Sequence, residues 1–132
     1  KDRSLTVHDF AGLAGPYAFT PDEPDLEDIF GPPQNYPNMQ VTTVIDGTQP
    51  PMLLLYGNKD TAVKLANLER LEQRIKQRGG CVRSRIYPNA DHTDLIGALS
   101  WWNRQRVPVV KDITTFFGVC RAEESSDRIE RE

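Results

Sequence analysis

In the stretch PPMLLLYGNKDTAV, residues 50–63, an apolar run stops at Gly57 and is followed at once by a short turn and an aspartate, Asp60. In VRSRIYPNADH, residues 82–92, a β-rich run ends at Tyr87, and a proline and a turn then lead to His92. A carboxylate beside an imidazole holds the ring in the tautomer that can accept a proton, which is the orienting half of a nucleophilic triad. Asp60 and His92 can do that chemistry only if the elements between them bring them together.

Those elements have readable patterns. Met52 to Tyr56 is a continuous apolar run bounded by Pro50-Pro51 and Gly57, the signature of a strand buried on both faces. In TAVKLANLERLEQRIKQRGG, Leu65, Leu68, Leu71 and Ile75 recur at steps of three or four, with charged residues between them and Gly79-Gly80 at the end. That spacing predicts an amphipathic helix with a glycine C-cap. CVRSRIY follows with Val82, Ser84 and Ile86 alternating against Arg83, Arg85 and Tyr87, a period-two strand suited to a sheet edge. Strand, helix, strand is a βαβ unit with parallel strands, so both strand ends lie on one edge, where ligands bind in open α/β sheets. Adjacent parallel strands are about 5 Å apart, so Asp60 and His92, each just past its strand, come within hydrogen-bond reach.

Each residue also has a structural reading. Asp60 precedes a helix and is placed to cap it, and a single histidine in a turn is commonly a solvated surface residue. Asp91 and Asp94 flank His92, but the chain holds only two histidines and His8 is far away in sequence, so a metal site is not expected.

The rest of the chain sets bounds. Its 132 residues suffice for one domain with a modest core. With 38% hydrophobic and 27% charged residues the composition is that of an ordinary globular protein. A net charge of −3 offers no basic footprint for nucleic acid. No apolar run approaches the roughly 18 residues of a membrane span. Cys81 and Cys120 form neither a disulfide framework nor a C-x-x-C pair and are expected as buried thiols. The chain opens on Lys1 rather than methionine, as expected of a processed product or a piece of something longer.

Ser4 to Gly15 is a weakly β-like run. From Pro16 to Pro51 the sequence is rich in Pro, Asp, Asn and Gly, with one short helical candidate, DLEDIFG, closed by Gly31. The remainder of that stretch is expected to be a long irregular excursion, a lid or binding loop or else a disordered linker. TDLIGALSWWNRQR and PVVKDITTFFGVCR read as two helical segments, the second started by Pro108. The expected domain spans 1–120, and the charged tail 121–132 is expected to be disordered.

Taken together, AGLAGPYAFTP, DLEDIFG, PPMLLLYGNKDTAV and YPNADHTDLIGAL resemble the C-terminal portion of the α/β-hydrolase fold, in its carboxylesterase and lipase-like branch. The resemblance runs from about Phe10 to Gly118. It is carried by G-x-x-D-x-x-V at Gly57, Asp60 and Val63, by the strand and histidine that follow, and by the loop at Gly15, Pro16, Tyr17 and Phe19. Many members carry an acidic residue in that loop where Ala18 stands here. The resemblance implies about three parallel strands with flanking helices, an incomplete α/β sheet. It also implies catalytic roles for Asp60 as acid and His92 as general base, in the triad order Ser, Asp, His.

The family's nucleophile motif, G-x-S-x-G, does not occur in these residues, and neither does the Gly-rich oxyanion loop. The chain is therefore expected to supply acid and base for ester hydrolysis but not the serine, and to be inactive alone, with the missing N-terminal half as its partner. No metal or organic cofactor is implied. Phe19, Phe30, Tyr36 and Met39 on the excursion, with Val63, are the expected substrate-binding residues, facing an apolar acyl or alcohol group of a small-molecule ester. Two other readings remain open: a peptidase of the same fold, and an inactive self-associating module in which Trp101 and Trp102 belong to an interface. An uncovered sheet edge at Ser4 to Gly15 predicts a homo-oligomer, most simply a dimer.

Overall fold

A computed structural model describes residues 7–21, 24–117 and 119. Its centre is strand β2, Met52–Gly57, in which all six residues are buried. On one side β2 pairs in parallel with β1, Phe10–Leu13, in the register Phe10↔Met52 to Leu13↔Leu55. On the other side it pairs in parallel with β3, Val82–Tyr87, from Met52↔Val82 to Gly57↔Tyr87. The order β1-β2-β3 leaves β2 with neighbours on both sides and β1 and β3 as the edges of the described sheet. An apolar run without alternation thus becomes the strand whose two faces are both covered.

The covering helices follow from their spacing. Helix α4, Ala66–Gln77, buries Leu68, Leu71 and Ile75 while its charged residues face outward. It ends in a Schellman motif: Gly80 N–H donates to Ile75 O at 2.9 Å and Gly79 N–H to Lys76 O at 3.1 Å. Gly79 takes φ +75°, a conformation that a Cβ would strain. Helix α6, Val109–Phe116, starts after Pro108 as expected and buries Val109 and Phe116. The βαβ unit β2-α4-β3 is parallel, as its sequence predicted.

The structure departs from the sequence reading in five places. The first strand is confined to Phe10–Leu13, and residues 4–6 of the expected run lie outside the described residues. The Pro16 to Pro51 stretch is more organised than an irregular excursion. It holds α1, Pro24–Phe30, a 3-10 turn at Pro33–Asn35, α2, Tyr36–Met39, and α3, Val41–Val44. Prolines stand in the first turns of the 3-10 segment and of α2, where a fixed φ and a missing N–H cost nothing.

On β3 only Val82 and Tyr87 are buried, and the four residues between them are exposed. Arg and Ser tips there reach flanking helices instead of a core. Ser84 Oγ donates to Glu72 Oε2 at 3.1 Å, and Arg85 Nε lies 3.5 Å from Asp112 Oδ2. Helix α5 covers only His92–Gly97, far short of Arg106. Beyond it Leu99 N–H turns back to Ile96 O and Ser100 Oγ caps Gly97 O, and Trp101 and Trp102 are 69% and 87% exposed, with no apolar face to hold a longer helix on the core. Finally, Cys81 is disulfide-bonded rather than a thiol; Cys120 and the tail 121–132 lie outside the described residues.

Leu54 is completely buried at the centre of β2. Leu54→Ala is therefore expected to destabilise the chain by about 2–5 kcal/mol, read as a lower urea midpoint with an unchanged m-value.

Candidate active site

The loops after β2 and β3 are joined before either functional side chain is considered. Asn58 N–H donates to Tyr87 O at 3.0 Å, Lys59 N–H to Ala90 O at 2.9 Å, and Asn89 N–H to Asn58 Oδ1 at 2.8 Å. This zipper needs a close approach at Gly57, where a Cβ would lie 2.3 Å from Ala90 O. It also needs a left-handed residue at Asn89, φ +58°, a conformation that asparagine tolerates better than most side chains. The glycine that ends the apolar run is thus the point at which the two loops touch.

On this base Asp60 is held from three directions. Its backbone N–H closes a turn onto Gly57 O at 3.0 Å. Its Oδ1 accepts from the N–H groups of Ala62 and Val63, both at 2.8 Å. Its Oδ2 lies 2.9 Å from His92 Nδ1. The Asp60 side chain is fully buried, whereas that of His92 is 31% exposed. One oxygen therefore anchors the loop, and the other is left for the imidazole. The helix-capping reading of Asp60 is not met: the N-cap of α4 is Leu65, with no side-chain cap, and Asp60 ties the amides of the loop that precedes the helix while its second oxygen meets the imidazole.

Tyr56 braces the same loop. Its hydroxyl donates to Val63 O at 2.8 Å and lies 3.3 Å from Asp60 O. Burial, reinforced by the Asp60 charge, raises the phenol above its ordinary range and keeps it a neutral donor. His92 is the first residue of α5, set by a capping box: Asp91 Oδ1 accepts from Asp94 N–H at 2.9 Å, and Asp94 Oδ2 accepts from Asp91 N–H at 3.1 Å. With Nδ1 turned to Asp60, His92 presents Nε2 away from the pair. Asp91 and Asp94 are spent on this cap, and among the described residues no group of three or more His, Cys, Asp or Glu could hold a metal.

The expected binding residues separate into two sets. Phe19 and Val63 line one cavity of about 340 Å³ between the loop at Pro16 to Thr20 and the start of α4. Phe30 packs edge-to-face on Phe19, with ring centroids 5.8 Å apart, but does not line that cavity. Tyr36 is buried and Met39 half-buried on α2, and neither reaches it. The sequence reading passed over Tyr56 and Asn58, although a tyrosine at the end of the buried strand and an asparagine next to Gly57 are the available signals. Among the described serines, Ser84 and Ser100 donate to Glu72 and Gly97 and are engaged away from His92.

The sequence pattern of the prolyl oligopeptidase family matches residues 8–122. No curated protein matches the chain. Among solved structures, an esterase from the planctomycete Thermogutta terrifontis, Est2 with propionate bound, superposes with a TM-score of 0.51. Identity is 16%, with 72% of this chain and 37% of that one covered. The native form of the same esterase gives a TM-score of 0.44 at 19% identity, covering 52% and 24%. The chain thus spans little more than a third of the length of the first of these, and its three parallel strands with flanking helices are part of an α/β-hydrolase fold.

The cap on α5 carries a pH dependence. Backbone and side-chain donors at Asp94 and Thr93 hold the Asp91 carboxyl below its ordinary range. A lowered carboxyl contributes stability that is present above the unfolded value, about 4, and is lost as pH falls through the lower folded value. Amide-exchange protection of Leu95 and Ala98 should therefore hold at pH 5 and decline below about pH 4. Asp91→Asn, which keeps a side-chain acceptor, should flatten that decline.

Proposed function

We propose, from the premise that the chain belongs to the prolyl oligopeptidase family, that it carries the acid and base of a serine hydrolase that cleaves acyl compounds through an acyl-enzyme. The observation that carries this reading is the 2.9 Å contact between Asp60 Oδ2 and His92 Nδ1, with Oδ1 independently tied to two backbone amides. Asp60 fixes the tautomer in which Nδ1 holds the proton and Nε2 has a lone pair. Nε2 takes the proton from a serine hydroxyl as its oxygen attacks the substrate carbonyl. The imidazolium, stabilised by Asp60, then gives that proton to the leaving group as the C–O or C–N bond breaks. A water, deprotonated by the same Nε2, releases the acid and restores the serine.

We propose further that the serine lies outside these residues, because no G-x-S-x-G is present. Carboxylic esters are the proposed substrates, in keeping with the motifs quoted above and with the esterase of similar fold. Phe19 and Val63 would contact the acyl or alcohol part from the cavity they line. A peptidase is the second reading, favoured by the family match itself. It differs chemically in one step, since an amine leaves only when protonated and so depends more on His92 as acid.

Two experiments test the proposal. The chain alone should not release product from activated esters above a buffer control, and a burst abolished by a serine-directed inhibitor would refute the division of labour. In the intact enzyme Asp60→Asn should leave the fold unchanged and lower kcat by up to about 10⁴-fold, as expected for the wrong imidazole tautomer. A loss of less than about tenfold at unchanged KM would reduce Asp60 to a loop anchor.

A further inference from the structure

The cavity next to Asp60 is lined by two unlike sets of residues. Phe19, Ala62 and Val63 give an apolar side, and Ala62 and Val63 are the same residues whose amides hold the Asp60 carboxylate. The cavity is also lined by Thr20, Lys64 and Arg70, and among the described residues no Asp or Glu lines the space. In a chain with 19 acidic and 16 basic residues, a concave surface whose described lining holds two cations and no anion is against the overall charge balance. Neither the Lys64 ammonium nor the Arg70 guanidinium has a hydrogen-bond or ion-pair partner among the described residues, although other cations do: Lys76 pairs with Glu72, Arg85 with Asp112 and Arg106 with Asp94.

The polar groups in this cavity are also sorted by function. Asn67 is spent on structure: its Oδ1 accepts from Ala18 N–H at 2.9 Å and its Nδ2 donates to Lys64 O at 3.2 Å, which fastens the Pro16 to Thr20 loop to the start of α4. Thr20 Oγ1 accepts from Gln40 Nε2 at 3.0 Å and retains its own hydrogen to donate. Lys64, Arg70 and Thr20 are thus three donors lining a space that Phe19 and Val63 also line. A volume of about 340 Å³ is at the small end of ligand sites.

From this arrangement we infer that the cavity binds a carboxylate borne on a small apolar body, with the carboxylate on Lys64 and Arg70 and the apolar part on Phe19 and Val63. Given the acid-base reading of Asp60 and His92, on which this extension rests, it assigns the substrate class as an acyl compound with a free carboxylate next to the scissile group.

The test is equilibrium binding to the chain itself, so it does not require a nucleophile. N-acetyl-leucine titrated into ¹⁵N-labelled chain at low salt should shift the amides of Ala18, Val63 and Asn67, and N-acetyl-leucinamide, the neutral isostere, should bind at least about tenfold more weakly. Both cations are solvent-exposed, so Lys64→Gln and Arg70→Gln should each fold normally and weaken the acid by up to about fivefold, the range of an exposed ion pair. Lys64→Arg should restore binding, and raising the salt to 0.3 M should weaken it. Equal affinity for acid and amide, shifts confined to other surfaces, or no effect of the two Gln variants would overturn the inference. Because nothing is turned over, a null result for Asp60→Asn in the intact enzyme would refute the acid-base proposal without changing this binding result, and the reverse also holds.

Discussion

Everything at the candidate site depends on the contact between two loops at Gly57. The parallel pairing of β2 and β3 places both strand ends on one edge, but that alone leaves the loops free to diverge. The Ala90 carbonyl, which accepts from Lys59 N–H, occupies the position that a Cβ on residue 57 would need. A larger residue there would part the loops and move the carboxylate from the imidazole. The 2.9 Å distance between Asp60 and His92 is therefore a consequence of backbone packing before it is a property of either side chain.

The same economy appears in how Asp60 is used. A buried carboxylate is costly unless its oxygens find partners. Here one oxygen takes two amide donors from its own loop and the other takes the imidazole. Tyr56 completes the arrangement from beneath, tying the far end of the loop to the end of β2. The two amide bonds to Oδ1 hold the loop without involving the imidazole.

Around this site the described sheet is narrow. Among the described residues β1 pairs with β2 only, and Phe10, Ile96, Leu99, Trp101 and Trp102 carry large apolar surfaces into solvent. A scattered exposed apolar residue is ordinary, but these lie on β1, on α5 and on the segment that continues from it. The chain covers 37% of a solved esterase of similar fold, so an edge strand with a single described neighbour is the expected geometry of a partial α/β-hydrolase sheet.

The sequence by itself determined the elements whose pattern is local. An apolar run without alternation can be satisfied only by cover on both faces, so β2 was legible from Met52 to Tyr56. Steps of three and four at Leu68, Leu71 and Ile75 permit only a helix, and Gly79-Gly80 mark its end because φ +75° excludes most side chains. The parallel βαβ order followed from these, and with it the expectation that Asp60 and His92 meet. What it could not determine was anything set by distant partners. The exposure of β3 depends on Glu72 and Asp112 from two different helices, and α5 stops at Gly97 because nothing in the core receives Trp101 and Trp102. Pro-rich segments between 16 and 51 became short helices because prolines fell in first turns, a matter of one residue's register. The cationic wall next to Asp60 depends on Lys64 and Arg70 facing a loop more than forty residues earlier, and only the folded chain could bring that loop to them.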